Sequence, residues 1–257
     1  MKNSLLIARR DLGSFFSSPV FYILTSIFLV LYGYIFFNIL NFFSYQSFQA
    51  SQMSSQMGGF NLNLNEMVIE PSLHNMGVIL LLMIPVITMR SFSEEKKNKS
   101  FSLLLSSPVH LIEIVLGKFL ASLTVVFIMI ILTGYCVAFL YLIGQPESGP
   151  IMTSYLGVFL MAGCYVAIGI FASALTDNQI VAAVIAFGFT LFMWVIGWGA
   201  QATDSTTGKL LNYLSLADHL ERFFKGIVDI GDLVYYLSFI LFLLFLTHRS
   251  LDSQRWK

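Results

Sequence analysis

The sequence predicts an all-α integral membrane protein with six transmembrane helices, an N-terminal amphipathic interface helix and a short cytoplasmic helix between spans two and three. Three observations predict this fold class. The chain is 57% hydrophobic and only 11% charged, whereas a soluble domain carries about 25% charged residues. It contains six apolar stretches near the length of about 20 residues that crosses a bilayer. Its basic residues cluster in alternate connecting segments.

The six apolar stretches define the predicted spans and leave little room for a second domain. We therefore treat residues 1–257 as a single transmembrane domain. The net charge is zero, which removes any whole-chain electrostatic argument for nucleic-acid binding. The predicted spans are Val20–Leu40, Leu73–Met89, Leu120–Ile143, Ile151–Leu175, Ile180–Gly199 and Leu233–Thr247.

Basic residues indicate the orientation, because Lys and Arg near span ends are retained in the cytoplasm. With both termini inside, eleven basic residues fall in inner segments and three in outer ones. This bias predicts a multi-pass protein with both termini cytoplasmic. The inner residues are Lys2, Arg9, Arg10, Arg90, Lys96, Lys97, Lys99, Lys118, Arg249, Arg255 and Lys257, and the outer ones are Lys209, Arg222 and Lys225.

The first 18 residues have the pattern of a helix lying flat on a membrane surface. Leu5 and Leu12 recur at helical spacing with other apolar residues, while Arg9 and Arg10 fall on another side. An amphipathic helix of this kind buries its apolar face at the edge of the bilayer. The alternative is a basic tail that only fixes the topology.

Two outer segments are long. Residues 41–72 contain no Lys or Arg and are rich in Ser, Gln and Asn, which predicts a polar external loop, with room for a short helix. Residues 200–232 contain an amphipathic helix with apolar positions at Leu216 and Leu220. A turn is expected near Gly231.

The inner segment 90–108 carries the most informative pattern. Ser91 and Glu94 have the spacing of a capping box, which starts a helix. Glu95 and Lys99 are four residues apart, with the acid first, which stabilises a helix. The pattern predicts a short charged helix on the cytoplasmic side.

The far end of this helix is apolar. Phe101, Leu104 and Leu105 form a cluster, and Pro108 ends the helix because proline lacks the backbone N–H. Apolar surface in water costs about 25 cal/mol per Å², so the cluster should be buried. The residues alone leave two possibilities for what buries the cluster, a partner protein or the bilayer itself.

No enzyme motif stands out. A P-loop requires G-x-x-x-x-G-K-[ST], and neither Gly117-Lys118 nor Gly208-Lys209 fits it. We therefore expect no ATPase activity and no cofactor or metal on this chain. The predicted span interiors contain no ionisable residue, which argues against a carrier driven by protons or ions. Pro85 is a candidate gating position, because proline kinks helices.

Residues 93–121 resemble the signature region of type-2 ABC export permeases. The shared features are Ser93-Glu94-Glu95, Lys96-Lys97, Leu103-Leu104-Leu105, Ser107-Pro108-Val109 and Ile114-Val115-Leu116-Gly117-Lys118. The six-span layout and the N-terminal helix also match that family. Lys99-Ser100 stands where the family usually has Gly-Thr. Residues 218–238 are similar to the segment before the last span of gliding-motility-associated permeases.

The resemblance implies a function in ATP-driven export across the bacterial cytoplasmic membrane. In that family the inner helix docks on a separate ATPase, so ATP and Mg²⁺ would bind to the partner. The implied assembly has two ATPase copies and a second permease copy, identical or related, and an auxiliary membrane subunit with a large extracytoplasmic domain is a further expected partner. The residues implied in coupling are Glu94, Glu95, Lys99, Phe101, Leu104 and Leu105.

Two other functions remain alternatives. The chain could be a non-pumping membrane anchor or assembly subunit of a surface or gliding-motility machine, which would need no ATP turnover. It could also be a secondary carrier, against which the absence of ionisable residues from the predicted span interiors weighs.

Overall fold

A computed structural model describes residues 2–53, 63–99, 110–201 and 206–254, and every structural statement below concerns these ranges. They form helices and contain no strand, so the predicted all-α class is confirmed. The helices are α1 (Lys2–Ser17), α2 (Pro19–Met53), α3 (Glu70–Thr88), α4 (Arg90–Lys97), α5 (Leu111–Leu132), α6 (Gly134–Ile143), α7 (Ser148–Leu175), α8 (Gln179–Gln201), α9 (Thr206–Leu214), α10 (Asp218–Phe224) and α11 (Ile230–Ser253).

Six helical units in the described ranges are long and apolar enough to cross a membrane, which confirms the six predicted spans. Two spans combine consecutive elements: α3 is preceded by a π-helical turn and followed by α4, and α5 is followed by α6. The units are Pro19–Ala50, Asn65–Lys97, Leu111–Ile143, Ser148–Leu175, Gln179–Gly197 and Ile230–Ser253.

Much of the predicted outer loop 41–72 is helical instead. Helix α2 continues to Met53, a π-helical turn occupies Asn65–Ile69, and α3 begins at Glu70. Residues 54–62 of that predicted loop lie outside the described ranges. The hydropathy pattern marks only the part of a helix that lipid can surround, and polar residues such as Gln continue a helix beyond it. The loop prediction was therefore wrong for these two helical parts.

Helix α7, the fourth span, forms the centre of the bundle. In its most apolar window, 78% of the residues are buried, against 28% for the first and fifth spans. At three of its glycines, side chains of other helices lie close to the α7 backbone. A Cβ atom added to Gly157 would lie 2.8 Å from Leu220, one added to Gly163 would lie 3.0 Å from Ile240, and one added to Gly169 would collide with Thr88. Small residues thus let three other helices approach α7.

Helix α10 matches the predicted amphipathic helix, but the turn that follows it lies elsewhere than predicted. Leu220 is fully buried, as expected. The chain turns at Gly226, where φ is +80°, a conformation that favours glycine. Gly231 instead belongs to the first turn of α11, where its N–H donates to the Asp229 carboxylate at 2.9 Å. The turn was predicted too late because Asp229 is the N-cap of the last span.

One end of the bundle gathers α1, α4, the start of α5 and the last residues of α7 and α11. The Gln254 side chain near the end of α11 donates to the Ala174 carbonyl at 3.3 Å. Lys96 of α4 donates to the same carbonyl. We call this the basic end, because α1 and α4 bring their Lys and Arg residues to it. The N-terminal helix and the end of the last span therefore lie at the same end.

Candidate functional site

The second span is interrupted at Met89, where α3 meets α4. The Met89 N–H donates to the carbonyl of Pro85 at 2.9 Å. The N–H groups of Phe92 and Ser93, in the first turn of α4, both donate to the Ser173 hydroxyl oxygen, at 2.9 and 3.1 Å. The Ser173 hydroxyl in turn donates to the Met89 carbonyl at 3.0 Å. One side chain of α7 thus satisfies the backbone groups that the helix break exposes.

The predicted capping box at Ser91 does not form. Helix α4 begins at Arg90, its N-cap residue Met89 has helical backbone angles, and the Met89 side chain forms no cap hydrogen bond. The chain continues from α3 into α4 with a single intervening turn, so Ser91 lies inside the helix. One of the N–H groups that a capping Ser91 would bind, that of Ser93, donates to the Ser173 hydroxyl instead.

A network of four charges joins α4 to α1 and α5. The ammonium group of Lys118 lies 2.8 Å from a Glu95 carboxylate oxygen and 3.3 Å from an Asp11 oxygen. The Arg10 guanidinium lies 2.9 Å from Asp11 and 3.3 Å from Glu95. Two cations and two anions alternate, so the network has no net charge.

Lys118 is the buried member of this network. Its side chain is only 4% exposed, and its ammonium group lies 5.2 Å from the centre of the Phe92 ring. Burying a charge is costly unless it is paired and hydrogen-bonded. The two carboxylates supply that pairing, and the aromatic ring adds a cation–π contact. Removing either carboxylate should therefore weaken the junction.

Arg10 closes the network at its exposed side. Burial by itself would lower the pKa of Arg10, but hydrogen bonds and attraction to Asp11 and Glu95 raise it above its usual value. Arg10 thus stays charged and links α1 to α4 as well as to its own neighbour.

Helix α1 reaches this network because it packs closely on α5. A Cβ atom added to Gly117 would lie 2.8 Å from the Ile7 side chain and 2.9 Å from the Ser4 carbonyl oxygen. Ala8, on the same face of α1, is 5% exposed. Gly117 therefore allows the contact, and the adjacent Lys118 supplies the charge that fastens it.

The predicted N-terminal helix is present as α1, with its apolar residues divided between two faces. Ala8 packs on α5, and Leu12 packs partly against the core. Leu5 is 66% exposed, as suits a side chain that contacts lipid, and Arg9 is exposed. The predicted helix is confirmed, but its apolar residues do not all lie on one face, as the prediction assumed.

The predicted coupling residues differ in their surroundings, and some of them lie outside the described ranges. Glu95 joins the charge network, Glu94 is exposed on α4, and Lys99 has a φ of +56° just after the end of α4. Pro85 is buried in α3. The remaining three predicted residues, Phe101, Leu104 and Leu105, lie outside the described ranges.

Sequence reasoning missed three residues of this site. Asp11 was a lone acid in a basic segment, and Lys118 stood in the Gly-Lys pair that failed the P-loop test. Both could have been found by asking which opposite charges flank the same membrane boundary. Ser173 gave no signal, because its role depends on the break in another helix.

The opposite end of the bundle has a second polar cluster. The His219 ring donates or accepts a hydrogen bond of 2.6 Å with Asp232, and its other ring nitrogen lies 3.0 Å from the Tyr213 carbonyl oxygen. The ring stacks on Tyr235 with centroids 4.0 Å apart. Arg222 bonds to Asp229 at 2.6 Å. The cluster fastens α9 and α10 to the start of the last span.

Comparison with known families gives one match along nearly the whole chain. The model of the ABC-2 family transporter proteins matches residues 5–248. The matched range includes the charge network, the junction at Met89, the first five spans and the sixth span as far as residue 248. No curated protein matches the chain.

Proposed function

We propose that this chain, which belongs to the ABC-2 family of transporter proteins, is the permease subunit that converts ATP hydrolysis on a separate ATPase into export. It is a multi-pass membrane protein with six spans. Members of its family are membrane subunits that work with an ABC ATPase and typically lack an ATPase site of their own. ATP and Mg²⁺ would accordingly bind on the partner.

The observation that carries the proposal is the attachment of α4 on three sides. Glu95 binds Lys118 of α5 and Arg10 of α1. Lys96 binds the last turn of α7, and Ser173 of α7 binds the start of α4. A force applied at the free end of α4 would therefore reach the third span, the fourth span and the interface helix together.

The proposed point of attack is the segment that follows α4. On the strength of the resemblance, we propose that the apolar residues Phe101, Leu104 and Leu105 dock in a cleft of the ATPase. Nucleotide-driven closure of an ATPase dimer would push this segment and, through α4, tilt the attached spans. The basic end would face the cytoplasm, in agreement with the distribution of Lys and Arg.

The proposed complete machine contains two permease copies and two ATPases in the bacterial cytoplasmic membrane. The similarity of residues 218–238 to gliding-motility-associated permeases favours that subfamily. It would add an auxiliary membrane subunit with a large extracytoplasmic domain. The alternative of a non-pumping anchor is not favoured by the family match.

A variant of the segment that follows α4 tests the proposal. The complex is isolated from native membranes, placed in lipid nanodiscs and assayed for ATP hydrolysis. We expect Leu104→Asp with Leu105→Asp to lose the bound ATPase, because charges would have to enter an apolar cleft. The matched control is Ile227→Asp with Val228→Asp, two exposed apolar residues in the turn at the opposite end, which should leave the complex intact. An ATPase bound equally to both variants would overturn the proposal.

A further inference from the structure

A cavity of about 630 Å³ lies beside the charge network at the basic end. It is bounded by α1, the start of α2, the junction of α3 with α4, and α5. Its volume lies within the range of about 300–1,000 Å³ that is usual for small-molecule sites.

The wall of the cavity changes from apolar to charged over a short distance. Phe21, Leu24 and Met129 line the apolar part, whereas Arg90 and Glu94 of α4 line the charged part. Along α5 the lining runs from Lys118 to Met129, which is about 16 Å at 1.5 Å per residue. A ligand that fills it needs a polar head and an apolar tail.

The charged part stands at the level of lipid head groups. Arg90 directly follows the apolar stretch Leu73–Met89 of the second span. Basic residues at such positions lie at the boundary between lipid chains and water. The amphiphiles present at that level are the lipids of the surrounding leaflet.

The charges around the cavity favour a zwitterionic head group. The lining contains three cations and three anions, so it offers no net attraction to an anionic lipid: Arg10, Arg90 and Lys118 against Asp11, Glu94 and Glu95. Four of these six form the network described above.

The remaining two charges, Arg90 and Glu94, form no salt bridge with another residue in the part of the chain that the structure describes. They stand four residues apart on the exposed side of α4, and side chains at that spacing are neighbours. A guanidinium suits a phosphate, and a carboxylate suits an ammonium group.

We propose that this cavity binds one zwitterionic phospholipid of the leaflet at the basic end. Its phosphate binds Arg90, its ammonium group binds Glu94, and an acyl chain lies along the partly buried side chains of Phe15 and Leu24. The bound lipid fills the space between the interface helix and the bundle. The proposal requires no ATPase and does not depend on the direction of transport.

Native mass spectrometry of the purified chain tests this site. The chain is reconstituted in equal amounts of phosphatidylethanolamine and phosphatidylglycerol, extracted with a mild detergent, and examined for retained lipid. We expect one retained phosphatidylethanolamine, reduced at least fivefold by Arg90→Ala and by Glu94→Ala, and preserved by Arg90→Lys. Because both side chains are exposed, these variants should fold normally.

Two further variants complete the experiment. Arg9→Ala removes a basic residue of α1 that does not line the cavity, and it should retain the lipid. Leu24→Trp, at a partly buried residue of α2 that lines the cavity, fills the apolar part and should exclude the lipid, with an unchanged circular dichroism spectrum as evidence of folding. Equal retention by wild type, Arg90→Ala and Glu94→Ala would overturn the proposal, as would a preference for phosphatidylglycerol or the absence of any retained lipid from the wild-type chain.

Discussion

The ammonium group of Lys118 lies 2.8 Å from the Glu95 carboxylate, so the start of the third span is fastened to the end of the second. Asp11 extends this pair to the interface helix at 3.3 Å. Two boundaries of the membrane domain and a surface helix thus share one buried cation. The arrangement explains how a short helix between two spans can act on more than its immediate neighbours.

Removing the cation should loosen this junction. We expect Lys118→Met to destabilise the chain by about 3 kcal/mol, because two carboxylates lose their buried partner. The interface helix should also detach more often, which a maleimide reaction at Ala8→Cys can measure. Ala8 is 5% exposed, and the two natural cysteines are buried.

The matched control for this experiment is Lys97→Met, which removes an exposed lysine of α4. It should change neither the melting temperature nor the labelling rate. Equal labelling of Ala8→Cys in the Lys118→Met and Lys97→Met backgrounds would contradict the assigned role of Lys118.

The contact between α1 and α5 should depend on Gly117. A methyl group there would meet the Ser4 carbonyl oxygen at 2.9 Å, and backbone cannot move aside as a side chain can. We expect Gly117→Ala to cost about 1–3 kcal/mol, as overpacking does. Gly188→Ala is the control, since a Cβ atom there would meet nothing within 4 Å. Equal stability of the two variants in thermal unfolding would contradict the role assigned to Gly117.

The helix break at Met89 should depend on the Ser173 hydroxyl. In Ser173→Ala the N–H groups of Phe92 and Ser93 lose the hydroxyl oxygen to which both donate, at about 0.5–1.5 kcal/mol for each hydrogen bond removed. Hydrogen exchange in α4 should therefore become faster.

Thr190→Ala serves as its control, because that buried hydroxyl bonds only carbonyls of its own helix, at Ala186 and Phe187. It should leave exchange in α4 unchanged. Protection of Phe92 and Ser93 that is the same in Ser173→Ala as in wild type would show that Ser173 does not hold the break.

A carboxyl group at the opposite end should make stability depend on pH. Burial raises the pKa of Asp218, and nearby Glu221 adds to the rise. An acid whose pKa is higher in the folded state costs stability where it is ionised, and this cost disappears as the pH falls below its ordinary value. We expect Asp218→Asn to raise the melting temperature by about 1–2 °C at neutral pH, with a smaller gain near pH 4. A gain that grows as the pH falls would contradict this assignment.

The sequence was sufficient for the spans but not for their connections. Apolar length and the distribution of basic residues predict six spans, since both follow from the cost of polar groups in lipid. The continuation of α2 to Met53 escaped prediction, because polar residues outside the lipid form helix or loop with similar ease. The Glu95–Lys118 pair escaped it as well, because 23 residues separate the two in sequence. Such pairs depend on how the helices pack against one another, and hydropathy carries no information about that packing.

The central claim is that the end of α4 faces a nucleotide-driven motor. The most direct measurement places a photoactivatable amino acid at Asn98, an exposed residue just after α4, and identifies the protein captured in intact cells. We predict capture of an ABC ATPase. Capture of extracytoplasmic proteins, or of no nucleotide-binding protein, would contradict the account.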